Sequence, residues 1–432
     1  MQTTTTNPRA KLLRDPNFRW LMAGSAVSLL GDQFTLIALP WLVLRITGDT
    51  AALGLVLALI GVPRALFILV GGAVVDRFSP YRVLMLTKHA NAVLLAVLAI
   101  GVYLGALPLP ALYALALALG LASAFSIPSG TSMLPHALEP RFLGAANGVM
   151  MGLRQLSFFV GPMAAGLLIA LFGDGSGEVR QPTGIALAFA VDAFSFALSA
   201  WTLSRVRMHA VPATAGAPQS IGSSIAEGLR SVARDRELKA CYFYWTAVAL
   251  LVLGPLQIAM PVLAQSLPQL GASALGLMAG AHGGGTLLGM LLSGTRRLRI
   301  GTLGTSLLVA DAVIGLLFVP MGHITATAQG AGLMLAIGVL GGFMQVAVFT
   351  WIQRRVAPAM LGRAMSLFMF IFMGLVPLAS AATGWVLHHV PLATLFTACG
   401  LLLVAVAAIA WLASPVRRID DAIIGVRTQF SP

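Results

Sequence analysis

Three charged side chains lie deep inside long apolar runs of this sequence: Asp32, Arg64 and Arg154. An ionisable group is costly to keep at that depth in an apolar segment, so each is a candidate for function. Asp32 lies about 14 residues into the first run, roughly 20 Å along a helix that rises 1.5 Å per residue. A carboxyl placed there can exchange a proton, contact a bound molecule or pair with either arginine. A structural ion pair or a helix cap is the alternative role for Asp32.

Other polar side chains also interrupt the apolar runs. Three glutamines are expected to offer hydrogen bonds to a bound molecule: Gln33, Gln257 and Gln345. For the remaining buried ionisable groups we favour structural roles: Asp192, Asp311 and His282. Six aromatic side chains would suit an amphipathic ligand, with lipid contact as the alternative for several of them: Phe34, Trp41, Tyr244, Trp245, Phe343 and Trp351.

The composition places these residues in a membrane protein. Hydrophobic residues make up 58% and charged residues 9% of the 432-residue chain, and the mean hydropathy is +0.91. A soluble domain carries about a quarter charged residues, and one of this size could not hide so much apolar surface from water. The net charge of +13 does not indicate nucleic-acid binding, because the basic residues recur in short clusters between apolar runs. Cys241 and Cys399 both lie in apolar runs, which predicts neither a disulfide nor a metal cluster.

Twelve apolar runs are long enough to cross a bilayer as helices, since about 20 residues span its hydrocarbon core. Runs such as AVLLAVLAIGVYLGAL do not alternate in hydropathy, which argues against a transmembrane barrel. We therefore predict an all-α integral membrane protein with spans at 18–44, 51–75, 83–105, 109–128, 142–172, 184–206, 240–264, 272–294, 302–320, 327–350, 361–387 and 392–413.

Basic residues collect on one side of the predicted bundle. That side includes Lys88 and the basic residues of 207–239, whereas the other side has chiefly Arg45 and Arg180. The positive-inside rule then places both termini in the cytoplasm. The first apolar run is too long for a signal peptide, so we expect it to remain as the first span. The expected location is a bacterial inner membrane.

The two halves of the chain resemble each other in sequence. ALGL at 52–55 recurs at 274–277, IALP at 37–40 recurs as IAMP at 258–261, and EPRFLGAAN at 139–147 recurs as APAMLGRAM at 357–365. The three shifts along the chain are nearly equal, and the matches keep the same order. They predict two parallel repeats of six helices, with a cavity between the repeats.

The predicted organisation has four parts: a six-helix bundle at 1–206, a hydrophilic linker at 207–239, a second six-helix bundle at 240–413 and a tail at 414–432. Within the linker, Ile225, Leu229 and Val232 recur at helical spacing between charged residues. This pattern predicts an amphipathic helix on the cytoplasmic surface of the membrane.

The loop after the second span reads GGAVVDRFSPYRVL. It resembles the signature of the major facilitator superfamily, Gly-x-x-x-Asp-Arg followed by basic residues, with matches at Gly72, Asp76, Arg77 and Arg82. Residues 79–80, Ser-Pro, stand where the family often has Gly and a basic residue. The resemblance implies that this cluster latches the cytoplasmic side of the protein when the cavity faces outward.

The fifth span, GLRQLSFFVGPMAAGLL, resembles the antiporter motif found mainly in exporters of the superfamily. The matching residues are Gly152, Gly161, Pro162 and Gly166, and the additional glycines of the family motif are missing. A Pro-kinked helix packed through small residues is the alternative reading of this span. The opening segment and residues 135–147 resemble the drug:proton antiporter branch, which includes macrolide and enterobactin exporters.

The resemblance implies a secondary transporter that exports a small, amphipathic drug, siderophore or metabolite by proton antiport and alternating access. The fourth span lacks the superfamily's usual arginine, and we hypothesise that Arg154 serves in its place. An uptake symporter of the same fold and, less favoured, a polytopic membrane enzyme are the alternatives.

The energy source is expected to be an ion gradient. The sequence has no Gly-x-x-x-x-Gly-Lys-Ser/Thr loop for a nucleotide, so we expect no cofactor and a proton gradient as the energy source. The expected partners are a small molecule, protons and membrane lipid, without nucleic acid, and the chain is expected to act as a monomer.

Overall fold

The computed structural model describes residues 11–173, 182–208, 230, 232–267, 271–293 and 300–419. Twelve helices in this part of the chain are long and apolar enough to cross a membrane, which confirms the predicted number and fold class. In chain order they are α1 (Pro16–Thr47), α2 (Thr50–Phe78), α3 (Pro80–Tyr103), α4 (Leu109–Ala137), α5 (Leu143–Phe172), α6 (Thr183–Ser204), α7 (Arg236–Val248, Ala249–Leu253 and Gly254–Ser266), α8 (Gly271–Ser293), α9 (Leu303–Met321), α10 (Thr327–Arg355), α11 (Pro358–Phe370, Ile371–Leu375 and Val376–Leu387) and α12 (Leu392–Ala413).

Two of these helices contain a wide π turn in the middle of the span. The turns are Ala249–Leu253 in α7 and Ile371–Leu375 in α11, and a proline stands two residues after the end of each, Pro255 or Pro377. A proline donates no backbone hydrogen bond and its ring crowds the carbonyl one turn earlier, and that carbonyl lies inside the π turn in both helices. The widened turn absorbs the proline without breaking the span.

The start of each half is built in the same way. Asp15 caps α1 by accepting a hydrogen bond from the Phe18 amide at 2.9 Å, and Asp235 caps α7 by accepting from the Glu237 and Leu238 amides at 3.0 and 3.1 Å. The shift from Asp15 to Asp235 along the chain is close to the shifts of the sequence repeat. A helix cap is therefore part of what the two halves share.

The start of α7 is also tied to the end of α10. Arg355 pairs with Asp235 through Nε–Oδ2 at 2.8 Å and with Glu237 through Nη1–Oε2 at 3.1 Å. Burial alone would raise the pKa of the Asp235 carboxyl, but the hydrogen bonds from Arg355 and from the backbone prevail and lower it. Asp235 is thus held as a carboxylate at the edge of the bundle.

The two halves meet closely at the membrane face opposite to the one where α1 begins and α12 ends. We call these the opposite face and the termini face. At the opposite face the Thr50 hydroxyl of α2 donates to the Gly384 carbonyl of α11 at 2.8 Å. A side chain at Gly54 would meet the α11 backbone, since its Cβ would lie 3.0 Å from the Ala381 Cα.

The same face is closed between α5 and α8. A Cβ on Gly276 of α8 would collide with the Pro162 carbonyl and lie 2.9 Å from the Gly166 Cα. Small residues let the two backbones approach to this distance, as in other membrane helix pairs. The contact continues to the middle of the membrane, where the Gln155 amide donates to the Gly283 carbonyl at 3.1 Å.

Towards the termini face, α5 and α8 separate. Gly144, Gly148 and Gly152 follow one another at four-residue spacing on the side of α5 that contacts α8 nearer the opposite face. A Cβ on any of them would meet no atom of the described residues within 4 Å. Glycines of this helix are therefore tightly packed near the opposite face and unpacked near the termini face. The space between the halves opens to the termini face.

The sequence placed Lys88 within the third span but counted its charge with the basic residues at one side of the bundle. Helix α3 already begins at Pro80, and Lys88 is a buried residue of that helix. The amphipathic helix expected around Ile225 and Leu229 falls largely outside the described residues, as does the tail after 419.

Candidate functional site

Asp32 lies in the middle of α1, between two residues that fix this helix in the first half. Gly31 faces α6, where an added Cβ would collide with Ser195 and lie 2.6 Å from an Asp192 carboxylate oxygen. Gln33 is buried against Gly161 of α5, whose missing side chain leaves room for it. Asp32 itself has an exposed side chain. Its position is set by the close approach of α1 to α5 and α6.

Three cations surround Asp32 at electrostatic range: Lys88 of α3, Arg154 of α5 and Arg64 of α2. None of them forms an ion pair within 4 Å of Asp32 in the part of the chain that the structure describes. The direct Asp32–Arg154 pair considered from the sequence is therefore not formed in this state. Asp32 is exposed, and two of the helices that carry these cations, α2 and α5, also line the contact between the halves.

A second carboxyl stands behind Asp32. Asp192 of α6 is 1% exposed and accepts hydrogen bonds from the Thr35 hydroxyl of α1 and, at 3.1 Å, from the Ser195 hydroxyl. The bond from Thr35 joins α1 to α6, in agreement with the structural role favoured for Asp192. Asp192 also lies within electrostatic range of Asp32, so it adds a negative charge or a shared proton to the same cluster.

Lys88 is the member of this cluster that sequence reasoning missed. Its ammonium donates to the Ser199 hydroxyl of α6 and lies 5.7 Å from the centre of the Phe196 ring. A buried lysine is stable only with partners of this kind. The sequence signal was present, because Lys88 lies inside the predicted span 83–105, but its charge was counted with the basic residues at one side of the bundle.

Two buried polar atoms near Asp32 have no hydrogen-bond partner among the described residues: Gln33 Oε1 and Arg64 Nε. Gln33 follows Asp32 directly, and the Arg64 guanidinium is within electrostatic range of it. Buried polar groups in native proteins are almost always paired, with protein, water or ligand. Both atoms are closed off in this state, so a bound molecule or water would reach them only after the helices around them move.

In the second half, the glutamines expected to contact a ligand are exposed. Gln257 of α7 accepts a hydrogen bond from the Ser380 hydroxyl of α11 at 3.1 Å. Gln345 of α10 has an exposed side chain. Gln257 thus links two helices that carry π turns, and Gln345 can contact solvent.

The aromatic side chains expected to line a cavity do not do so. All six are between 2% and 7% exposed and belong to the packed interior: Phe34, Trp41, Tyr244, Trp245, Phe343 and Trp351. Tyr244 instead donates its hydroxyl hydrogen to Asp311 at 2.7 Å, which joins α7 to α9 and agrees with a structural role for Asp311. The helices are apolar on every face, so sequence periodicity could not show which side was buried.

An aromatic cluster around Phe368 of α11 lies in the second half and includes Trp245. Phe368 has ring-centre distances of 4.8 Å to Phe372, 5.2 Å to Phe349, 5.9 Å to Trp245 and 6.1 Å to Tyr242. Phe349 and Phe372 are only partly buried. These two rings offer apolar surface, whereas the polar groups around Asp32 lie in the other half.

The predicted gate and the helix-five motif are placed as follows. Arg77 and Arg82 are exposed at the termini face. The surroundings of Gly72 and of the Asp76 side chain lie outside what the structure describes. Pro162, Gly161 and Gly166 of the helix-five motif pack against α8 and α1, and Gly152 faces open space.

Some known proteins resemble this chain in sequence over most of its length, and others over about half of it. The sequence pattern of the Major Facilitator Superfamily matches residues 21–381. The Multidrug efflux pump Tap of Mycobacterium tuberculosis is 31% identical over 236 residues, 52% of this chain and 53% of Tap. The match therefore spans about half the length of this relative. An uncharacterised MFS-type transporter, y4rN, of Sinorhizobium fredii is 25% identical over 403 residues, 92% of this chain and 94% of its own length.

Solved structures share the fold. The nucleoside transporter NupG has a TM-score of 0.67 at 14% identity and covers 94% of this chain and 99% of its own. A bacterial homologue of the iron transporter ferroportin, in an inward-facing state, has a TM-score of 0.69 at 18% identity and covers 93% and 99%. With a family pattern spanning nearly all of its twelve helices, this chain belongs to the Major Facilitator Superfamily, a family of membrane transporters of small molecules and not of enzymes.

Proposed function

We propose that this protein exports a small, amphipathic molecule from the cytoplasm in exchange for protons. The observation that carries the proposal is the position of Asp32, an exposed carboxyl in the middle of a membrane-spanning helix, near three cations but paired with none of them among the described residues. A carboxyl that reaches water can bind and release a proton, and one inside a membrane protein is a functional candidate.

The export direction rests on a relative and on a motif. About half of the chain is similar to a protein named as a multidrug efflux pump, and the fifth helix resembles the antiporter motif of exporters. A carboxyl that binds either a proton or a substrate couples the two in opposite directions, because release of one permits binding of the other. The partly buried rings of Phe349 and Phe372, together with the exposed Asp32 carboxyl, support an amphipathic substrate.

The orientation that goes with this proposal places both termini in the cytoplasm of a bacterial inner membrane. It is supported by the excess of basic residues at the termini face, such as Arg82, Arg141 and Arg354. The space between the halves then opens to the cytoplasm, where an exporter collects its substrate. The chain works as a monomer and uses the proton gradient in place of any cofactor.

The test uses inside-out membrane vesicles energised by respiration, in which an added substrate releases protons that a pH-sensitive dye records. Asp32→Asn is expected to reduce substrate-driven proton movement by more than about tenfold while substrate still binds, because the amide keeps the size but cannot ionise. Asp49→Asn, which changes an exposed carboxyl at the opposite face, is the matched control and should keep coupled transport.

The energy source and the vesicle orientation separate export from uptake. An uncoupler that collapses the proton gradient should stop accumulation in the inside-out vesicles. Accumulation only in right-side-out vesicles would identify an uptake symporter instead. If Asp32→Asn exported substrate normally at every pH, Asp32 would have no part in coupling.

A further inference from the structure

A groove of about 380 Å³ opens at the termini face between the start of α7 and the end of α12. Its polar wall is formed by Arg234, Arg236 and Lys239, and its floor by Ala240 and Ser414. The groove is separate from the space between the two halves, since α7 and α12 both belong to the second half. It is therefore not part of the candidate transport site.

The three cations of the groove reach solvent. Their side chains are exposed, and none forms an ion pair with a described residue. The acids closest to them in sequence, Asp235 and Glu237, are both bound to Arg355. Three positive charges thus surround one groove while the neighbouring negative charges are already paired.

The membrane side of the groove is apolar. Phe243 lines it one helical turn after Lys239 and is 72% exposed. On α12, next to the lining residues 413–415, Leu412 is 77% exposed and Trp411 is 39% exposed. Cations at the membrane surface, with apolar side chains one turn deeper and a tryptophan at the boundary, match the headgroup and acyl chain of a phospholipid.

The first half shows how the groove arises. Trp20 of α1 corresponds to Ala240 of α7, at the same shift that relates Asp15 to Asp235. Trp20 packs edge-to-face on Trp201 of α6 at 5.4 Å, and Arg205 lies 5.2 Å from the Trp201 ring. Where the first half fills the space between its first and last helices with two indole rings, the second half has an alanine and leaves the space open.

We propose that this groove binds the headgroup of an anionic phospholipid of the membrane leaflet at the termini face. The phosphate is held by Arg234, Arg236 and Lys239, and the acyl chains run along Phe243 and Leu412. Arginine suits this role because its planar guanidinium can donate two hydrogen bonds to one phosphate. The bound lipid fills the room that Ala240 leaves between α7 and α12.

The test compares lipid retention by the full chain purified from bilayers of phosphatidylglycerol and phosphatidylcholine with the same acyl chains. Native mass spectrometry counts each lipid that remains bound. The triple variant R234Q/R236Q/K239Q is expected to lose preferential retention of phosphatidylglycerol by on the order of 100-fold, since each basic side chain near a charged headgroup contributes about a factor of five. Ala240→Trp keeps all three cations but fills the groove, and it is expected to lose the preference as well.

Arg14 and Arg19 occupy the corresponding positions of the first half, where the groove is filled, and both are exposed. The matched control R14Q/R19Q removes basic charge from the same face and should retain phosphatidylglycerol as the unmodified protein does. Inorganic phosphate at millimolar concentration should compete only weakly. Displacement of the lipid by phosphate alone would show a simple anion site and overturn the lipid assignment.

Two further results would overturn the proposal. The first is unchanged phosphatidylglycerol retention in the triple variant. The second is loss in the triple variant with full retention in Ala240→Trp, which would indicate surface charge without a groove. Thermal unfolding in detergent verifies that each variant is folded, and Ala240→Leu replaces Ala240→Trp if the larger side chain prevents folding.

Discussion

Glycine contacts between α5 and α8 are expected to set the balance between the state described here and the state that is open at the opposite face. Gly276 is the position to change. In the present state an added Cβ collides with the Pro162 carbonyl and lies 2.9 Å from the Gly166 Cα. Both neighbours are backbone atoms, so no side-chain rotation can relieve the contact and the two helices must move apart.

Gly276→Ala therefore destabilises this state by about 1 to 3 kcal/mol, the usual cost of adding a group to a packed contact. The gain in helix propensity from Gly to Ala, about 1 kcal/mol, stabilises both states and cancels in their difference. A difference of about 1 to 3 kcal/mol moves the equilibrium about 5- to 150-fold towards the state in which α5 and α8 separate at the opposite face.

The assay is a distance measurement between spin labels at the termini face, on Arg141→Cys in the first half and Arg354→Cys in the second. Both positions are exposed, and the native cysteines, Cys241 and Cys399, are buried. Gly276→Ala should increase the population at short distance, because the termini face closes when the opposite face opens. Gly148→Ala is the matched control, since its Cβ meets no atom within 4 Å in this state.

A folded Gly276→Ala protein with the distance distribution of the unmodified chain would refute this reasoning. The α5–α8 contact would then not hold the opposite face closed. Gly166→Ala tests the same contact from the other helix, where the added Cβ would lie 2.9 Å from the Ala272 carbonyl oxygen. It should shift the distribution in the same direction.

Three further predictions concern stability. Asp235→Ala should lower the free energy of unfolding in detergent by about 2 to 4 kcal/mol, since it removes a helix cap and the charge-assisted bonds to Arg355. Asp15→Ala, which removes a cap alone, should cost about 1 kcal/mol. Because the pKa of Asp235 is lowered in the folded protein, its stabilisation is fully present above the ordinary value of 3.8. It is lost only as the pH falls through the folded pKa, so denaturation at pH 7 and pH 5 should show the same Asp235→Ala effect. Tyr244→Phe leaves the buried Asp311 without its hydroxyl donor, and unfolding should show a loss of about 1 to 3 kcal/mol.

The number and class of the helices could be predicted from the sequence because the membrane imposes a length and a composition on every span. The ends of the helices were less accurate. Helix α3 begins at Pro80 and not at 83, so Lys88 lies about two turns inside the helix and is buried, although its charge had been counted with those at one side of the bundle. In a helix that begins with polar residues, hydropathy alone places the start too late.

The contacts of the site could not be predicted in the same way. Asp32 was found because a carboxyl in an apolar run stands out, but its relation to Lys88 and Asp192 depends on how α1, α3 and α6 cross. The aromatic candidates met a related difficulty. In helices that are apolar on all sides, nothing in the sequence separates a fully packed ring, such as Trp245, from a partly buried one, such as Phe372.

The repeat itself indicates which residues the fold does not need. At the shift that relates the two caps, Asp32 corresponds to Val252, a buried residue of the π turn in α7. The second half forms the same six-helix bundle with a valine at that position, so a carboxyl is not required to build it. Trp20 and Ala240 differ in the same way, and there the difference leaves a groove. The two halves share one fold, and each forms with or without these side chains. Packing alone therefore does not account for them. Asp32 and the groove at Ala240 are the places where function is to be tested first.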